Sequence, residues 1–87
     1  MSKLPLAVAL QYDKSAVPVP RVVAKGRGEI GEAILKLARA HGVPVEENAP
    51  LAEALSQVEL GEDIPEALYR AVAEVLIFIL RASGKIG

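Results

Sequence analysis

The chain has 87 residues, a net charge of −1, no cysteine, one histidine and three aromatic residues. That length suits one domain, 1–87, with a small aliphatic core of Val, Leu, Ile and Ala. The absence of cysteine excludes disulfides and thiolate metal sites, and no apolar run is long enough to span a bilayer as a helix. The reading is a soluble cytoplasmic domain with no signal peptide. The mean hydropathy of +0.33 is high for so small a chain and points to a surface that meets a partner or a second copy.

The first element is a strand. Leu6, Val8, Leu10 and Tyr12 alternate with Ala7, Ala9 and Gln11. One side is bulky and the other small, so the alanine side predicts close approach of a helix. "DKSAVPVP" reads as a loop because Pro18 and Pro20 have no N–H to donate. "RVVAK", Arg21 to Lys25, reads as a second short strand.

The next segment, "GRGEIGEAILKLARAHG", is a helix with Ile30, Ala33, Ile34, Leu37, Ala38 and His41 at helical spacing. Glu29 and Glu32 suit its positive end, Glu32 and Lys36 pair at i, i+4, and Gly42 is placed to close it in a left-handed conformation. "VPVEE" then reads as a third strand, which predicts a parallel βαβ unit with a right-handed crossover.

Asn48 is the expected cap of a short helix carrying Leu51, Leu55 and Val58 on one face. After the break at "LGEDIP", Asp63, Pro65 and Glu66 form a capping-box pattern that predicts a last helix from Ile64 to Ala82. Leu68, Val72, Val75 and Ile79 define its inner face, flanked by Tyr69, Leu76 and Leu80 on one side and Phe78 on the other; Ile77 lies opposite. The predicted fold class is α/β, a small mixed sheet of three or four short strands flanked by helices in the order β-β-α-β-α-α.

Charge is segregated along the chain. Residues 40–69 carry seven acidic residues and no Lys or Arg, whereas residues 1–39 carry seven basic and three acidic ones. Such segregation orients partners or simply solvates surfaces. The basic residues are scattered and lack interleaved aromatics, which argues against nucleic acid. Lys25, Arg27 and Gly28 sit between a strand and a helix, a place for anion contact, yet neither phosphate-loop glycine pattern is present. Glu46 and Glu47 are adjacent in an extended segment and point opposite ways, and His41 has no local Ser or Cys partner. No catalytic, cofactor-binding or metal-ligating residue emerges.

Four segments taken in order, "AVALQYD", "PRVVAKGRGEIGEAI", "HGVPVEENAPLAEAL" and "VELGEDIPEALYRAVAEVL", resemble the cytoplasmic C-terminal domain of the FlhB export-switch family of flagella and type III secretion injectisomes. The resemblance runs from about Ala7 to Leu80. It implies a domain at the membrane export gate that meets export-apparatus proteins or export substrates. In the family, a self-cleaving Asn-Pro-Thr-His motif stands directly before the first matched strand, preceded by a further strand and a membrane region. Here Ser2, Lys3, Leu4 and Pro5 occupy the motif positions, and the chain's single asparagine is Asn48.

The resemblance therefore implies a non-catalytic interaction module without self-cleavage, encoded apart from the membrane region. It also implies an open sheet edge, suited to a homodimer or to strand addition. The candidate partner-binding residues are Leu6, Val8, Tyr69, Leu76, Ile77 and Leu80. The alternative is a small-ligand or anion-binding domain of the same ancestry that uses Lys25 to Gly28.

Overall fold

The computed structural model describes residues 5–13 and 17–82. Strand β1, Leu6–Asp13, pairs antiparallel with β2, Val17–Arg27. Leu6 lies opposite Arg27, Val8 opposite Lys25 and Leu10 opposite Val22, with irregularities after Ala9 and after Gln11. The α/β class holds, but the strand count is lower than expected: among the described residues the ladder has two strands.

Three expectations are corrected here. The first concerns Pro18 and Pro20, read as loop residues, which lie inside β2. Pro20 turns its backbone away from β1, its carbonyl accepting the Ile64 N–H, and Pro18 lies where the register slips between Gln11 and Asp13. The second concerns Val43 to Glu47, which form no strand, so the parallel crossover does not exist. Gly42, at φ 70, is in the left-handed conformation, and its N–H donates to the Arg39 carbonyl. The Val43 N–H donates back to the Ala38 carbonyl at 2.8 Å, which completes a Schellman closure. The chain leaves that closure exposed, with Pro44 unable to donate.

The third correction concerns "LGEDIP". Gly61 to Ile64 run along the free edge of β2, where the Val22 N–H donates to the Glu62 carbonyl at 3.1 Å. The Gly61 N–H donates to the Val22 carbonyl at 2.7 Å, and the Ile64 N–H to the Pro20 carbonyl at 3.0 Å. Ile64 is therefore extended and buried, and the predicted capping box does not form. The Asp63 carboxylate instead accepts from Arg21 Nε at 3.2 Å. The last helix begins later, as a 3-10 turn at Glu66–Leu68 that leads into α3, Tyr69–Ala82.

Helix α1, Glu29–Ala40, lies on the alanine side of the sheet, as the sequence predicts. Two glycines let it settle there. Gly26 leaves room for Ile30, whose Cβ would be 2.7 Å from an added methyl. Gly31 is buried against the carbonyls of Pro5 and Gly26. Helix α2, Ala49–Leu55, and α3 cover the opposite side. There Val22, Leu51, Leu55, Ile64 and Val72 form the buried core, with Val8, Leu10, Leu68 and Val75 packed around it.

Asn48 caps α2 as expected: its Oδ1 accepts the Leu51 N–H at 3.1 Å. Asn48→Ala should cost about 1 kcal/mol of stability, read as a shift of the urea midpoint with an unchanged slope. At the other end of α2, Lys25 reaches across from β2. Its Nζ donates to the carbonyls of Ser56 at 2.9 Å and Val58 at 2.7 Å. Helix α2 has no basic residue in its own last turn, so a strand lysine supplies the positive charge that its carbonyl end favours.

Candidate partner-binding groove

A groove opens between β2 and α3, lined by Tyr12, Val19, Pro20, Ile64, Tyr69, Val72, Ala73 and Leu76. Its origin is local. The Pro20 carbonyl is engaged by Ile64, and proline has no N–H, so the β2 wall presents almost no unsatisfied polar group. Val72 and Ile64 form the floor and are continuous with the core. Ala73 is small and keeps the α3 wall low. Tyr12 and Tyr69, each 44% exposed, stand at the rim. These are two of the chain's three aromatic residues. Aromatic residues are enriched at the centres of protein interfaces.

The hollow measures about 180 Å³. That is below the roughly 300–1,000 Å³ of cofactor and drug-like sites, and suits one large apolar side chain of a partner. Among the described residues, no cluster of three His, Asp or Glu side chains is placed to hold a metal.

Of the candidates read from the sequence, Tyr69 and Leu76 line this groove. Ile77 and Phe78 are exposed on α3 beyond it. Leu6 is half-buried on β1, while Val8 packs against the core. The Leu80 side chain lies outside the described residues, as do Ser2, Lys3 and Leu4. Tyr12, Val19, Pro20, Ile64, Val72 and Ala73 were not singled out as partner residues by the sequence.

Of the positions considered for anion contact, Lys25 and Arg27 are turned toward α2. Besides the Lys25 clamp, Arg27 Nη2 donates to Glu53 Oε1 at 3.0 Å. Gly28, at φ 63, starts α1 by accepting the Glu32 N–H on its carbonyl. Along the outer edge of β1, no backbone hydrogen bond is formed among the described residues beyond the ladder with β2 and the Gly28 N–H to the Pro5 carbonyl.

The hydrogen bond and charge of Arg27 hold the Glu53 carboxyl below its ordinary value of 4.5, and Glu53 in turn raises Arg27. A carboxyl depressed by folding adds stability above its unfolded value and loses it as pH falls through the folded one. Acidification from pH 5 to 3 should therefore destabilise the wild type slightly more than Glu53→Gln. The two pH–stability curves, measured by urea titration, should converge at the acid end. Both side chains are half exposed, so the effect is small and screened by salt.

Comparison with known proteins agrees with this architecture. The model of the FlhB HrpN YscU SpaS family matches residues 5–79. The chain is 43% identical over 75 residues to YlqH of Bacillus subtilis (strain 168), covering 86% of this chain and 81% of that protein. It is 49% identical over 74 residues to the flagellar biosynthetic protein FlhB of Salmonella typhimurium, covering 84% of this chain but only 19% of that protein. The chain thus spans about a fifth of the flagellar relative. The crystal structure of the cytoplasmic domain of FlhB from Shewanella putrefaciens superposes with a TM-score of 0.84 at 36% identity, covering 93% of this chain and 65% of that one. Among the described residues no helix is long and apolar enough to cross a membrane. With a family model matched along most of its length and the fold shared, the chain belongs to the FlhB HrpN YscU SpaS family.

Proposed function

We propose that the chain is a non-catalytic docking module of flagellar or type III protein export. Its β2–α3 groove takes an apolar side chain from an export-apparatus protein or an export substrate. The observation that carries this reading is the groove itself: an apolar floor continuous with the core, a low wall at Ala73 and two tyrosines at the rim. The module works on the cytoplasmic side, beside the export gate. Self-cleavage is absent, because Ser2 to Pro5 stand where the family carries its cleavage motif. The one asparagine, Asn48, uses its side chain to cap α2. The intact mass of the purified chain should stay constant on prolonged incubation.

The test is capture by the immobilised chain from purified export-apparatus proteins and export substrates. Specific capture by the wild type, lost on blocking the groove, is the expected result. Failure to retain any of them, or retention indifferent to the groove, would overturn the proposal.

A further inference from the structure

A second apolar surface lies on α1, on the far side of the sheet from the groove. Ile30 and Leu37 are 62% and 60% exposed although they are large and aliphatic. They are seven residues apart and so lie on one stripe of the helix, with Ala33 and Ala40 beside them, also exposed. One flank of the stripe carries Glu29 and Lys36, again seven apart and both exposed.

This pattern is self-complementary. In an antiparallel helix pair a two-fold axis sets each flank against the same flank of the other copy, running in reverse. An axis beside Ala33 brings Ile30 within one residue of level with Leu37 of the second copy, and the reverse. The same axis brings Glu29 within one residue of level with Lys36 of the second copy, inside the reach of both side chains. The small side chain at the axis lets the helices approach closely. One axis satisfies the apolar and the charged pairs together. A parallel arrangement would set Glu29 against Glu29 and Lys36 against Lys36.

From this exposed stripe and the charges beside it, we infer that α1 is a homodimerisation surface that pairs two copies of this chain antiparallel about Ala33. The surface is one helix of 12 residues, so the interface is small and the dimer weak. Both grooves stay open, on outward sides of the pair, so a dimer could engage a partner bearing two docking segments with higher avidity.

Charge exchange tests the geometry. Glu29→Lys and Lys36→Glu should each weaken self-association at low salt by about tenfold or more, because each homodimer then opposes like charges. Mixing the two variants in equal amounts should restore a dimer, since both cross-pairs are again opposite in sign. Sedimentation equilibrium up to about 1 mM reads the association, in the range where small interfaces assemble. Ala33→Cys supplies a second readout in a chain that has no cysteine of its own. Air oxidation should give a disulfide dimer faster than the same change at exposed Glu59. A wild type that stays monomeric at 1 mM, a mixture no more associated than its components, or equal oxidation rates at the two positions would each overturn the inference.

Discussion

Replacing Gly31 by alanine should destabilise the fold by about 2–3 kcal/mol, an overpacking cost for which α1 has no outlet. The added Cβ would lie 2.5 Å from the Pro5 carbonyl oxygen and 2.8 Å from that of Gly26. Both are backbone atoms, and the Pro5 oxygen is held by the Gly28 N–H at 2.9 Å. No flexible side chain is available to yield. Alanine favours a helix over glycine by about 1 kcal/mol, which offsets part of the clash and is already included. For a domain of this size the loss should lower the thermal midpoint by roughly 10–20 °C in circular dichroism. Gly42→Ala is the contrasting change. It meets open space and carries only the left-handed backbone cost of about 1–2 kcal/mol, so it should fall short of Gly31→Ala.

Ala73→Glu should separate binding from folding. Ala73 is exposed on α3, so a longer side chain there has room and the stability change should stay within about 0.5 kcal/mol. The same side chain raises the groove wall and brings a carboxylate against Ile64 and Val72. A partner side chain could enter only by burying that charge unpaired, so capture should fall by about two orders of magnitude, in line with central interface positions. Ile77→Glu lies on the exposed part of α3 outside the groove lining and should change capture by less than about threefold. Equal losses at the two positions would move the interface from the groove to the whole outer face of α3.

Much of the fold was legible because its signals are local. The alternation of β1, the helical spacing of α1, the Gly42 closure and the Asn48 cap each depend on residues within one turn or strand. The failures share a different cause. Val43 to Glu47 have strand-like composition but no open edge to join, because Gly61 to Ile64, with weak strand composition, occupy the edge of β2. That pairing also takes Asp63 and Ile64 out of the helix that their capping pattern announced. Pro18 and Pro20 sit in a strand because Pro20 faces the Ile64 side and Pro18 falls at the register slip.

The groove was half legible for the same reason. Tyr69 and Leu76 stand out on the wide apolar face of α3, whereas Val19, Pro20 and Ile64 become its other wall only when β2 and the Gly61 to Ile64 segment come together. The charge signal of Lys25 and Arg27 was visible, but not its use. It secures α2 to the sheet through Ser56, Val58 and Glu53.

The most direct measurement of docking at the groove is chemical-shift mapping of the isotope-labelled chain titrated with a captured export protein or substrate. The account predicts that the saturable shifts centre on Tyr12, Val19, Ile64, Tyr69, Val72 and Leu76, and disappear in Ala73→Glu. Shifts centred instead on Lys25 to Gly28, or on α1, with the groove resonances unmoved, would contradict it.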